Sequence, residues 1–306
     1  MDKQLCLVSE KKTSTKGLPS TLSNAILPHD MEREIFEATA YLHPRDMVKL
    51  PSVAKRVKAW VEPIMYHTIT LNHTHSGPKF MRVLRDTTGS KAPEFFATHV
   101  KSLCLSKGVG VPEARVILEH CVGVHTLACW IEPNSYAAGV LMPIIRTKLT
   151  RLRRLSVNFS HLRLLVNATE GASGGVLERV THLDMSHPWA LYQLTRVGRG
   201  VVDIGFDALP QLTHLSFRFW AKDPEGAGPV LERILRECPK LEILALLVDP
   251  TEYAALDRGK VFEAAGLAED DRIIIVGSRG DSLDVIWDTI ERSADNMKGS
   301  YGRKRY

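Results

Sequence analysis

One phrase recurs along most of this chain: aliphatic-x-x-aliphatic-x-apolar. The copies are Val100-Leu103-Leu105, Val124-Leu127-Cys129, Leu152-Leu155-Val157, Val180-Leu183-Met185, Leu212-Leu215-Phe217 and Leu241-Leu244-Leu246. Their starts lie 24, 28, 28, 32 and 29 residues apart. Ile273-Ile274-Ile275-Val276, between Arg272 and Gly277, reads as a seventh strand. Helix-like segments fill the gaps, over residues 113–121, 137–147, 190–197, 230–237 and 282–292. A unit of one strand and one helix cannot bury its apolar edge alone. Stacked units make a continuous core, so residues 98–295 are expected to form an α/β solenoid with parallel strands inside and helices outside.

This array resembles an irregular leucine-rich repeat. Cys238-Pro239-Lys240-Leu241-Glu242-Ile243-Leu244 is the copy most similar to that form, and the usual repeat asparagine is missing. A doubly wound α/β domain also alternates strand and helix. The repeated LxxLxL favours the solenoid.

Side chains alternate across a strand, so the residues between the pattern aliphatics should line an open face. That places Trp130, Arg154, His182, Asp184, His214 and Arg218 on one concave surface. Neighbouring strands lie about 4.8 Å apart, so these residues should form a compact patch. An aromatic anchor beside polar donors suits recognition of a protein substrate. The two arginines could grip a carboxylate or phosphate. The plainer reading is the polar face of any solenoid. Histidine, aspartate and serine also permit a nucleophilic triad. An open sheet would give such a triad no water-excluding pocket, and no G-x-S-x-G, P-loop or H-E-x-x-H occurs. A non-catalytic role is expected.

Ahead of the array, residues 24–72 read as a small helical module. Asp30 can cap a first helix, whose face carries Met31, Ile35, Ala38 and Leu42. His43-Pro44 should stop it, and Asp46 can cap the next. Met47, Leu50, Ala54, Val57 and Val61 form a second apolar stripe, which Pro51 should kink or split. Pro63 should end the region, and Tyr66, Ile69 and Leu71 follow as an exit strand. So short a unit has little core of its own.

In order and spacing, Leu27-Pro28, Asp30, Ile35-Phe36, Asp46-Met47, Val53-Ala54-Lys55-Arg56 and Pro63 through Tyr66 resemble an F-box, nearest to the short F-box-like proteins common in fungi. Tyr66 stands where the family usually has tryptophan, and Pro51 where it continues a helix. The resemblance implies that Leu27, Pro28, Ile35, Met47, Leu50 and Val53 dock on a Skp-type adaptor. Through it they would reach the cullin of an SCF-type (cullin-RING) ubiquitin ligase. The repeats would then present a protein substrate. The second reading is a leucine-rich-repeat scaffold outside any ligase, in which these helices cap the solenoid and bury Ile35 and Leu50.

Residues 1–23, rich in Lys, Ser and Thr, read as a disordered tail, and residues 296–306 as a basic C-terminal tail. With 44% hydrophobic residues a sizeable core is available, and a net charge of +5 does not by itself call for nucleic acid. Arg146, Lys148, Arg151, Arg153 and Arg154 crowd five cations into one turn. No stacking aromatics interleave them, so a solvated turn is expected. If the run has a function, an acidic protein is as reasonable a partner as RNA. No nucleic acid or membrane partner is expected. Five scattered cysteines suggest reduced thiols in the cytoplasm or nucleus. His120, Cys121, His125 and Cys129 lack a CxxC spacing, so neither metal nor cofactor is expected.

Overall fold

The computed structural model describes residues 27–85, 91–132, 134–167, 175–185, 206–219, 227–254, 256–265, 270–278 and 283–302. The expected N-terminal tail and the helix expected over residues 190–197 lie outside them. The chain divides into two compact units, with the boundary between Val61 and Glu62.

The first unit contains α1 (His29–Leu42), the single-turn α2 (Pro44–Met47), a short 3-10 turn (Leu50–Ser52) and the start of α3 (Lys55–His67). Pro51 falls in the 3-10 turn, so the second apolar stripe is split as its ring chemistry requires. Three local expectations are corrected. Asp30 does not cap α1. Pro28 occupies the cap position and offers no side-chain acceptor, so Asp30 sits in the first turn, where its charge suits the helix dipole. Asp46 lies inside α2 rather than before it, because Pro44 with its preset φ takes the first helical position. Pro63 lies inside α3 and does not end it. Proline removes one N–H but holds φ near the helical value, so the helix continues with one bond fewer.

The second unit is built on one eight-stranded sheet, all parallel, in the order β1 to β8. The strands are β1 (Thr68–Leu71), β2 (Ser102–Leu105), β3 (Thr126–Cys129), β4 (Arg154–Val157), β5 (His182–Met185), β6 (His214–Arg218), β7 (Ile243–Val248) and β8 (Ile273–Gly277). Spatial order follows chain order throughout. A doubly wound sheet reverses its order at a switch point, and none occurs here. The arrangement is solenoid-like: each strand is laid beside the one before it. The sheet also begins earlier than residue 98. Ile69 pairs in register with Leu103 and Leu71 with Leu105, so the exit strand is the first strand of the array.

Register aligns the repeat phrase in a row: Leu103, Leu127, Leu155, Leu183, Leu215, Leu244 and Ile273 are adjacent and buried. On this face they meet residues of α4 (Ser76–Arg85), α5 (Pro93–His99), α6 (Val111–His120), α7 (Ser135–Lys148), α8 (Phe159–Asn167), α9 (Ala227–Glu237) and α11 (Arg258–Ala265) in one continuous core. The single-turn α10 (Pro250–Tyr253) is started by Asp249, whose Oδ1 accepts the Thr251 N–H at 2.9 Å.

The last helix, α12, runs from Leu283 to Gly302, through most of the stretch expected to be a tail. Its sequence has no proline and no glycine before Gly299, so nothing stops it earlier. It packs on the opposite face of the sheet. Leu283, Ile286, Trp287, Ile290 and Ala294 join Ile243, Ala245, Leu247, Ile274 and Val276 in a second buried cluster. The face expected to be open is therefore covered.

Candidate functional site

Trp130, Arg154, His182, Asp184, His214 and Arg218 all stand on the sheet face that the strand alternation assigns them. The structure brings them together under or beside α12. They are joined by Ser156 and Ser216, which the sequence reading placed in the same rows without assigning a role. Register sets Arg154 beside His182 and His182 beside His214, and likewise Ser156 beside Asp184 and Asp184 beside Ser216.

A hydrogen-bonded line runs from Trp130, just past the end of β3, across three strands. Trp130 Nε1 donates to Ser156 Oγ at 2.7 Å. Ser156 Oγ donates to Asp184 Oδ2 at 2.5 Å, and Ser216 Oγ donates to Asp184 Oδ1 at 2.7 Å. Ser156, Asp184 and Ser216 are buried. Burial pushes the Asp184 carboxyl above its ordinary range, while the two serine bonds and the Arg218 charge pull it back. A hydroxyl has one proton to give. Both serines give theirs to Asp184, so neither is primed by a histidine base. The line works as a polar clamp across β4, β5 and β6.

Above it, the rings of His182 and His214 stack with centroids 4.2 Å apart and planes at 8°. Trp287 of α12 meets both edge-on, at 4.9 Å and 6.0 Å. Thr181 Oγ1 and Thr213 Oγ1 each lie 2.8 Å from Nδ1 of the histidine that follows, and each also reaches a backbone carbonyl, Arg153 O at 3.3 Å and Thr181 O at 3.1 Å. Burial, then the His214 and Arg154 charges, lower the His182 pKa to about 3. His182 is thus neutral at ordinary pH, and its 3.8 Å approach to Glu291 Oε1 is not an ion pair. The charge on Glu291 is answered by Arg154 Nη2 at 3.3 Å. Arg218 donates to the Ser278 carbonyl at 3.1 Å.

Trp287 and Glu291 were the residues sequence reasoning missed. The signal was present: Leu283, Ile286, Trp287, Ile290 and Ala294 step by three, one, three and four, the spacing of one helical stripe. A helix outside the array has no use for a tryptophan on that stripe.

In the first unit, Leu27, Pro28, Ile35 and Val53 are exposed, while Met47 and Leu50 are half-buried. Met31, Tyr41, Leu42 and Val48 add to the exposed apolar set. The helices are fixed to one another by Trp60, which meets His29 edge-on at 4.8 Å and Phe36 at 6.5 Å. Arg56 grips Glu32 with both ends of its guanidinium, at 2.6 and 2.9 Å. Trp60, too, was not singled out in the sequence.

A cavity of about 330 Å³ lies between α7 and α8, lined by Ala138, Gly139, Met142, Pro143, Arg146, Leu164 and Leu165. Cys121, Cys129 and Cys238 are buried and their thiol pKa values are pushed up to about 12. No group of three potential metal ligands gathers among the described residues. No helix of the described residues is long and apolar enough to cross a membrane. The sequence matches no family model, and no curated protein matches it.

Proposed function

We propose that the chain is a non-catalytic adaptor. Its first unit docks on a Skp-type adaptor of an SCF-type (cullin-RING) ubiquitin ligase, and its sheet unit holds a protein substrate. The observation that carries this reading is the surface of the first unit. Leu27, Met31, Ile35, Tyr41, Leu42, Val48 and Val53 are all large, apolar and exposed within one short run of helices. So many large apolar side chains left exposed in so short a stretch suit a surface that a partner covers. The F-box-like order of Leu27-Pro28, Ile35-Phe36 and Val53-Ala54-Lys55-Arg56 names the partner that would cover it.

The second reading is a scaffold outside any ligase, in which these helices cap the solenoid. On the adaptor reading the chemistry belongs to the ligase, and this chain raises the local concentration of a substrate. The concave residues would then set the shape of the substrate unit, with α12 as part of it.

The test is capture of the full chain by purified Skp-type adaptor. Wild type is expected to bind, and Ile35→Asp with Val53→Asp to lose binding while keeping its melting temperature. Wild type that is not captured, or a double variant that still is, sinks the proposal.

A further inference from the structure

The cationic run around Arg151 takes on a shape in the fold that its sequence did not reveal. In the second unit, the residue just before each of the first four strands is His67, Lys101, His125 or Arg153. Backbone bonds tie these four positions into a ladder. Lys101 N–H donates to His67 O at 2.9 Å, His125 N–H to Lys101 O at 2.8 Å, and Arg153 N–H to His125 O at 2.8 Å. Arg151 and Arg179 flank the ladder, and the Arg179 guanidinium is held on the Thr150 carbonyl at 2.8 Å. His67, His125, Arg151, Arg153 and Arg179 are exposed and Lys101 is half-exposed.

The ridge is unneutralised. Lys101, Arg151 and Arg153 have no carboxylate partner among the described residues. Burial first, and then the charges of Lys101, Arg151, Arg153 and His67, all cationic or basic, hold the His125 pKa below the ordinary value. The ridge is also bounded. The same position is Thr181 before β5, Thr213 before β6 and the exposed Glu242 before β7. A row of like-charged side chains on a rigid backbone raises the potential above it and is stabilised by an anionic occupant.

We propose that this ridge is a docking surface for an extended acidic segment of a partner protein, laid across the start of β1 to β4. Four strand starts span about 14 Å at the usual strand spacing, the length of about four extended residues. A short run of Asp and Glu supplies charge at that density. Tracking of a single-stranded nucleic acid rests on aromatic platforms for its bases, and no Phe, Tyr or Trp stands among the ridge residues. The surface is separate from the residues assigned to adaptor docking, so the inference does not depend on that reading.

The test uses the full chain and a fluorescein-labelled pentaglutamate, followed by anisotropy at low and high salt. Wild type is expected to bind, more weakly as salt rises. Lys101→Glu with Arg153→Glu should weaken binding about tenfold or more. Lys79→Glu with Lys260→Glu removes the same net charge from exposed sites elsewhere and should leave binding within about twofold. Arg153→Gln, the milder change, should weaken it by about threefold. The His125 imidazole should titrate at higher pH with the peptide bound. No binding by wild type, or equal loss in the two double variants, overturns the proposal. So does tighter binding of an oligouridylate with the same sensitivity to Lys101 and Arg153, which would assign the ridge to nucleic acid.

Discussion

The indole of Trp287 stands edge-on to the imidazole of His182, with ring centroids 4.9 Å apart and planes at 89°. This contact joins the last helix to the middle of the sheet and closes the face that the repeat pattern would otherwise leave open. Its two members differ in what they can tolerate, and that difference gives the first expectations.

Trp287 is fully buried, and its Nε1 is one of two buried side-chain polar atoms without a hydrogen-bond partner among the described residues. Trp287→Ala should cost about 3–5 kcal/mol through lost burial and the cavity left behind. Trp287→Phe keeps much of the apolar contact and removes an unpaired donor, so it should cost less than half as much. Urea unfolding of the two variants checks the order. Equal losses would mean that the indole N–H is satisfied.

His182 is held neutral, with a pKa lowered to about 3 from an ordinary 6.5. The unfolded chain binds a proton there at higher pH than the folded one does. Stability from this site is therefore complete above about pH 6.5 and declines as pH falls from there toward 3. His182→Gln should flatten the acid limb of the stability profile over that window. An unchanged limb would place the acid sensitivity elsewhere.

Asp184 accepts from two buried serines, and its carboxyl pKa is raised by burial. Asp184→Ala strands Ser156 and Ser216 and should cost about 2–4 kcal/mol. Asp184→Asn keeps one acceptor, so its cost should be clearly smaller. Burial raises the folded carboxyl pKa above the unfolded one, so stability from the protonated acid is full below the unfolded carboxylate range and is lost as pH rises from there through the raised folded value. The gap between wild type and Asp184→Asn should thus narrow over that window. Guanidinium melts at several pH values test both statements.

Gly123 lies where a β-carbon would run into the Ala97 carbonyl oxygen, a backbone atom that cannot swing away. Gly123→Ala should therefore destabilise the second unit by about 1–3 kcal/mol. A melting temperature equal to wild type would show that the loop before β3 can shift.

Much of this architecture was legible in the sequence. The strands from β2 onward fall where the repeat phrase puts them, because each phrase must bury the same two or three side chains and only a strand presents them with period two. Helices were legible at Glu113, Val230 and Leu283 for the same reason at period 3.6. Local chemistry was less decisive. Asp30 and Asp46 had the composition of caps, but Pro28 and Pro44 took the positions that would have let them act. Ile69 and Leu71 read as an exit strand because they directly follow the helical module, about thirty residues before the first full copy of the phrase at Val100. Register with Leu103 and Leu105 makes them the first rung.

The sequence by itself determined the repeat, its approximate period, and which side chains share a sheet face. These follow from periodicities that hold at every copy. Only the tertiary structure decided what lies on the second face. Arg154, His182, Asp184 and Ser216 are polar, and polarity alone suggested exposure. They are covered because Trp287 and Glu291 arrive more than seventy residues after the last of them. Those two residues supply the apolar contact and the charge that make covering them favourable. The basic ridge has the same origin. His67, Lys101, His125 and Arg153 are scattered in the chain, and parallel in-register pairing sets them one strand apart.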